Sequence, residues 1–562
     1  MNVSDATDVV VVGSGGAGLL AACLAADAGR RVTVLESTDR LGGTTAVSGG
    51  MIWAPENPML GALGLTDSGD AARRYLKRVT EGAVPDADID LFLGTVGPMV
   101  DYLLSHTPVR VAAIDRPDYH SDWPGALPGG GRCLDVLPYA TAGRPGLLDR
   151  IRVGPHFTAA LTYDERQRSR WPGTRDETEV ARRERDGVVA VGAGLVAGLV
   201  AAADDRGVRF RTGTPARGLL SDDNRITGVR TDAGDLPAAL GVVLASGGFE
   251  WNTVLRRAFL REPASAPVSP PGNRGDGLVM AMAAGAALDA MSDAWWAPIV
   301  QDPDETYDGE PLTRHLVAER CLPGSILVDR TGRRFVNEAV NYNDITRALH
   351  AFDPTLHRLR HSPAYLVFDD AFRRRYAVGG TPAGAPPPGW WRHGTSLAEL
   401  AKNCGVDEDG LVRTVAGFNT HARDGHDPEF GRGETEHDRY YGDDRQPGNP
   451  CLGPIEEPPY HAVEVRSGMI GTKGGVRTGP TGAVLRADGS AIPGLYACGN
   501  VAAGPMGPGY PGSGATLAAA LTGGYRCGRA FGPPGSGGTP GSPGTPDAPG
   551  SSDPRHNARG VR

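Results

Sequence analysis

Four valines, Val9 to Val12, stand behind Asp8 and ahead of Gly13, Ser14, Gly15, Gly16, Ala17 and Gly18, and this segment limits the possible folds more than any other. A continuous β-branched run reads as a buried strand, the glycines as a tight turn, and the alanine-rich stretch to Ala28 as a helix. Gly13 permits the turn, Gly15 lets backbone approach a pyrophosphate, and Gly18 lets the helix pack close to the strand, with Gly16 and Ala17 between them. Unpaired N–H groups and the positive dipole end of such a helix suit phosphates. A second strand, Arg31 to Leu35, ends in Glu36, about twenty residues on, where a carboxylate hydrogen-bonds a ribose 2′-OH and disfavours a 2′-phosphate. Strand, helix, strand and acid in this order predict an α/β nucleotide-binding unit.

The residues after Glu36 narrow the nucleotide. Between Leu41 and Gly50 the chain supplies small residues and hydroxyls, Gly43, Thr44, Thr45, Ser48, Gly49 and Gly50. They suit close backbone approach to a bulky isoalloxazine, where a nicotinamide domain proceeds to another helix and strand. Near the other end, a strand in Gly494 to Cys498 closes on Gly499 and Asn500, and after a loop comes Tyr510, Pro511, Gly512, Ser513, Gly514, Ala515, Thr516. A tyrosine and a glycine-led helix start, Gly514 to Leu521, returned to a cofactor bound at the N-terminus predict a flavoenzyme holding FAD.

At 562 residues the chain is long enough for two or three domains. A net charge of -9 and a pI of about 5.8 give no electrostatic footprint for nucleic acid. The cysteines at 23, 133, 321, 404, 451, 498 and 527 form no CxxC pair, so neither a metal site nor a disulfide framework is expected, and a reducing, cytoplasmic compartment fits. Asp5 and Asp8 ahead of an early strand argue against a signal peptide. The uncharged stretch Gly187 to Ala203 is short and bracketed by Arg185, Asp186, Asp204 and Asp205, which reads as a buried strand or turn followed by a helix, not a membrane span.

Further strands are expected at Gly207 to Arg211, Ile226 to Thr231 and Gly241 to Ala245, suiting a mostly antiparallel second part of a flavin domain. A helix follows Gly275 and Gly277. Beyond Trp295 and Trp296, segments such as Ser325 to Asp329, Arg334 to Asn337 and Tyr365 to Asp369 alternate with helical stretches, and Ser396 with Glu399 forms a capping box for Leu397 to Asn403. The expected fold class is α/β: a Rossmann-like, glutathione-reductase-like FAD-binding domain, interrupted, in two parts (1–284 and 456–531), with an inserted α+β catalytic domain at 285–455. The Gly/Pro/Ser-rich tail at 532–562 has too little apolar content for a core and is expected to be disordered.

These residues resemble a known family. Gly13, Gly15 and Gly18, the Gly42 to Gly50 segment leading into Met51 to Asn57, the run from Arg334 to Asp344, Gly471 to Gly475, and Ile492 to Asn500 look like the 3-ketosteroid 1-dehydrogenases, members of a broader FAD-dependent group that includes soluble fumarate reductases. The resemblance implies non-covalent FAD and removal of hydrogen from carbons 1 and 2 of a 3-keto ring. It also implies that Tyr510 and the Gly514 N–H hold the carbonyl oxygen, that Tyr342 takes the carbon 2 proton, and that Tyr119 assists it. Independently of the family, a helix-start N–H such as that of Gly514 is unpaired and suits an oxyanion. His120, Trp295 and Trp296 are candidates for the pocket or for ordinary core packing. Thr472, Lys473, Gly474 and Gly475, preceded by Gly471, depart from the pattern of the fumarate-reducing members and count against a dicarboxylate substrate. The expected partners are a small hydrophobic ketone and an unidentified electron acceptor, without nucleic acid or a transmembrane segment. Two alternatives stay open: the same desaturation, or its reversal, on a non-steroidal cyclic ketone or enone, and a catalytically silent flavin-binding protein.

Overall fold

The computed structural model describes residues 6–260 and 266–532. The tail expected at 532–562 lies outside them, apart from Gly532.

The valine run is the fully buried strand Val9–Val12, and it sits inside a six-stranded sheet. Across that sheet the order is Ala483–Leu485, Ala491–Ala497, Gly241–Leu244, Val9–Val12, Val32–Leu35 and Arg209–Arg211. All neighbours pair in parallel except the edge strand Ala483–Leu485. Buried on both faces, such strands need no polar alternation, which is why valine can repeat. Gly13 turns the chain at φ +108, where a Cβ would lie 2.3 Å from the Ala245 carbonyl oxygen. The helix Gly16–Asp27 follows, and a Cβ on Gly18 would lie 2.2 Å from the Gly13 oxygen, so that glycine serves close packing.

Not every short strand falls where the sequence suggests. Arg209–Arg211 and Gly241–Leu244 join the parallel sheet, and only Arg225–Thr231 is antiparallel, in the centre of a three-stranded meander. Burial explains the difference: Gly241–Leu244 is buried throughout, whereas Arg225–Thr231 mixes buried and exposed positions. Arg334 to Asn337 makes one bridge, Arg334 to Val328, and then turns, because the Arg334 side chain is committed to Glu338 and Asp427. Ser396 caps the helix Leu397–Cys404 by accepting from the Glu399 N–H, but the Glu399 carboxylate accepts from the Thr395 N–H, one residue before the reciprocal partner of a capping box. Gly187 to Ala203 forms the strand Val188–Val189 and the helix Val191–Asp205, buried from Val191 to Ala203. Among the described residues no helix is long and apolar enough to cross a membrane.

A second, mixed sheet has Tyr460–Thr472 at its centre, between Ala294–Tyr307 and Ala364–Asp369, with Glu310–His315 and Ser325–Asp329 outside them. Its central strand therefore comes from beyond residue 455. That strand ends at Thr472, whose hydroxyl accepts from the Phe249 N–H across the junction of the two sheets. The helix Ala515–Arg529 returns to the N-terminus and packs on Gly16–Asp27; a Cβ on Gly524 would lie 2.3 Å from the Ala17 oxygen. Glycine here brings the Tyr510 segment to the fingerprint.

Candidate active site

One cavity of about 930 Å³ runs from the fingerprint to the tyrosines. Its wall includes Gly13 to Ala17, Glu36, Gly43 to Thr45, Ser48 to Met51, Gly499, Asn500, Tyr119, Tyr342, Tyr510 and Gly514. Gly18 is not on that wall; it lies beneath, against Gly13.

At the fingerprint end, Glu36 is buried and anchored: Oε2 accepts from the Ser14 hydroxyl (2.6 Å) and Oε1 from the Thr38 N–H and hydroxyl (both 3.0 Å). The Ser14 oxygen in turn accepts from the Gly42 N–H at 2.9 Å, which ties the second strand to the Gly43–Val47 helix. Thr45 accepts from the Gly16 N–H at 3.0 Å. A Cβ on Gly15 would meet nothing nearer than the Thr45 hydroxyl at 3.7 Å, so backbone is open to a phosphate there, while one on Gly50, at φ +74, would strike Val191 at 2.2 Å. This bare, glycine-lined cradle with a carboxylate at its end fits FAD.

At the other end three phenols cluster. Ring centroids of Tyr119 and Tyr342 are 5.5 Å apart, those of Tyr119 and Tyr510 5.2 Å, and those of Tyr342 and Tyr510 5.2 Å. Each arrives by a different route. Tyr119 lies in an irregular loop whose N–H donates to the Pro511 carbonyl at 3.0 Å, and Tyr75 donates its hydroxyl to the same carbonyl at 2.6 Å. Asp118, one residue earlier, fixes the loop by accepting from Trp53 Nε1 and Arg132. Tyr342 opens the helix Tyr342–Ala348, capped by Asn341. Tyr510 hydrogen-bonds Thr516 at 2.8 Å, and Tyr119 hydrogen-bonds Ser513 at 2.9 Å. Gly514 caps Ala515–Arg529 at φ +92, and a Cβ there would lie 2.6 Å from the Met51 and Ile52 backbone.

Comparison with known proteins matches residues 8–517 to the FAD binding domain family. The chain belongs to this family. It is 40% identical to the 4-oxocyclohexanecarboxylate 2-dehydrogenase of Sinomonas cyclohexanicum over 93% of this chain and 92% of that one. Against the 3-oxosteroid 1-dehydrogenase of Mycobacterium tuberculosis it is 36% identical, over 92% and 97%. The crystal structure of a 3-ketosteroid delta1-dehydrogenase from Sterolibacterium denitrificans, in complex with 1,4-androstadiene-3,17-dione, superposes with a TM-score of 0.87 at 35% identity, covering 94% of this chain and 99% of that one. The resemblance to the 3-ketosteroid 1-dehydrogenases is therefore real, and the chain is an FAD-dependent oxidoreductase acting on CH–CH groups.

In this flavoenzyme, burial raises the Tyr119, Tyr342 and Tyr510 phenols above the ordinary range, Tyr342 furthest because the other two phenols add to the effect. All three rest protonated. Lys473 is buried, which lowers it to about 8, and its Nζ donates to the Pro508 and Gly509 carbonyls at 3.0 and 2.8 Å, holding the loop before Tyr510. Trp295 packs edge-on against Tyr510, Trp296 donates to Asp293, and His120 pairs with Asp344 and stacks on Trp123 away from the cavity wall. Ser513 and Thr516 were legible in the Tyr510 segment as hydroxyls flanking Gly514, yet nothing in the sequence assigned them partners. Asn273, which donates to Thr44 at 2.8 Å from the cavity wall, has no sequence signal at all.

Proposed function

We propose that this chain introduces a double bond between carbons 1 and 2 of a 3-ketosteroid. The observation that carries the reading is the tyrosine cluster and Gly514 on the wall of the cavity that begins at the FAD fingerprint. The Tyr510 hydroxyl and the Gly514 N–H polarise the ketone, so that negative charge developing on its oxygen meets donors already in place. Tyr342 accepts the proton from carbon 2. A phenol cannot take a proton while holding its own, so Tyr342 acts as the phenolate, its own proton having passed to Tyr119 as Tyr119 hands one on through its bond to Ser513 and out to solvent. FAD, held non-covalently by Gly13 to Ala17, Glu36, Gly43, Thr44, Thr45, Ser48, Gly49, Gly50, Gly499 and Asn500, with Gly18 packed beneath, would supply the sink for the hydride leaving carbon 1. The substrate has then lost one proton and one hydride, and an external acceptor regenerates the cofactor.

The same reading takes the parallel-sheet unit as a Rossmann-like, glutathione-reductase-like FAD-binding domain. The 285–455 segment, completed by the strand Tyr460–Thr472, is then the inserted catalytic domain, in a cytoplasmic protein. A second reading, the same desaturation on a non-steroidal cyclic ketone, is favoured by the 40% identity to a dehydrogenase whose name gives a monocyclic oxo acid. Anaerobic mixing of the yellow holoenzyme with a 4-ene-3-ketosteroid tests the first reading. Bleaching with a product two hydrogens lighter supports it; an unbleached flavin that monocyclic ketones do bleach moves the assignment to the second.

A further inference from the structure

Arg116 is 3% exposed and lines the cavity three residues before Tyr119. Its neighbours give it aromatic faces but no counter-charge. Nη1 donates to the Met51 sulfur at 3.1 Å, a weak acceptor, and Nε has no partner. The guanidinium is ringed by Tyr163, Tyr441 and Tyr440, 4.5, 5.1 and 5.6 Å from their ring centroids. Among the described residues no carboxylate lies within ion-pair reach of it. Other deeply buried arginines are treated differently: Arg132 reaches Asp67 and Asp118, Arg334 reaches Glu338 and Asp427, Arg432 reaches Glu338, and Arg320 donates to three backbone carbonyls. A buried cation left without a counter-charge is costly, so an anion arriving with a ligand is the simplest compensation.

Two further observations point the same way. Arg166 lies beside the same Tyr163 ring, 5.7 Å from its centroid, and it too lines the cavity with no carboxylate partner among the described residues. The His315 and His156 Nε2 atoms on that wall are buried without partners. The cofactor phosphates do not answer this need, since their cradle is the Gly13 to Ala17 helix start. Met51, whose sulfur accepts from Arg116, has its backbone against Gly514, and the guanidinium lies close enough to Tyr119 and Tyr510 to favour their ionised forms.

We propose that the ring ketone carries a carboxylate, bound by Arg116 with Arg166 beside it. This rests on the desaturase reading above and narrows its substrate class to oxo acids. Planar, bidentate pairing makes a carboxylate the natural partner of a fixed guanidinium.

The test compares acid with methyl ester within each enzyme, using 4-oxocyclohexane-1-carboxylate and a 3-oxo-4-ene steroid with a carboxylate side chain. Native holoenzyme is expected to prefer an acid over its ester by on the order of 100-fold in kcat/KM. Arg116→Met should bring that ratio near one, mainly through KM, Arg116→Lys should restore part of it, and Arg166→Gln should lower it less. Because each ratio is taken within one preparation, a poorly folded fraction cancels. Equal use of acid and ester by the native enzyme overturns the proposal. So does an Arg116→Met enzyme that loses acid and ester turnover alike with a shifted pH profile, which would make Arg116 a tuner of the tyrosines. Those outcomes leave the desaturase reading standing; failure of every acid and ester to bleach a flavin that a plain 4-ene-3-ketosteroid bleaches overturns this proposal alone, and failure of all of them overturns both.

Discussion

Tyr342 shows how much chemistry rests on surroundings. As a phenol raised by burial and by its two neighbours, it has no charge to offer a carbon acid at neutral pH, and in the proposed mechanism its proton leaves by way of Tyr119 and the Tyr119–Ser513 bond. Replacing it by phenylalanine should lower kcat by about 10²- to 10⁴-fold while FAD content, read from absorbance, stays at that of the native protein. Full turnover in that variant would remove Tyr342 from the mechanism. The pH dependence follows from the same shift. With the phenols raised, proton removal eases as pH climbs, so kcat should keep rising from pH 7 to pH 10 without a plateau, and a flat profile would contradict it.

At the scale of elements, the site is an agreement among segments that share no local sequence. The Tyr119 loop is pinned by its backbone bond to Pro511, the Tyr510 loop by Lys473, and the helix Ala515–Arg529 by glycines against Gly16–Asp27. Gly514 is where these constraints meet. At φ +92, with backbone of Met51 and Ile52 within 2.6 Å of any Cβ, Gly514→Ala is strained in conformation and in space. It should cost about 1–3 kcal/mol in denaturant unfolding and lower kcat more than it raises KM, since in the proposed mechanism the displaced N–H serves the developing oxyanion. Unchanged stability and turnover would show that the backbone accommodates a side chain there.

On the scale of the molecule, burial of neutral imidazoles ties stability to pH. Desolvation lowers His315 to about 3, and His156 and His350 to about 4, from an ordinary 6.5. Between those values the unfolded chain binds protons that the folded chain refuses, so stability falls as pH drops below 6.5. Each histidine contributes about 1.4 kcal/mol per pH unit, until the folded protein takes the proton near pH 4 for His156 and His350 and near pH 3 for His315. Melting of the holoenzyme should move steeply downward from pH 6.5 to pH 5; a level melting temperature over that range would refute the burial argument.

Periodicity and glycine placement were enough to predict the strand Val9–Val12, its helix, Glu36 and the return of the Tyr510 segment, because those features express local backbone demands. The three tyrosines were found by resemblance, and their roles remain proposals. Local sequence could not tell which short strands run parallel, since that depends on what covers both faces of Gly241–Leu244. Nor could it show that the second sheet takes its central strand from Tyr460–Thr472, which pairs with the far-off strand Ala294–Tyr307 from Ala294 against Thr472 to Ile299 against Arg466. Arg116 makes the point most sharply. In sequence it is one arginine among many; only the packed chain leaves it buried, on the cavity wall, without a carboxylate of its own among the described residues.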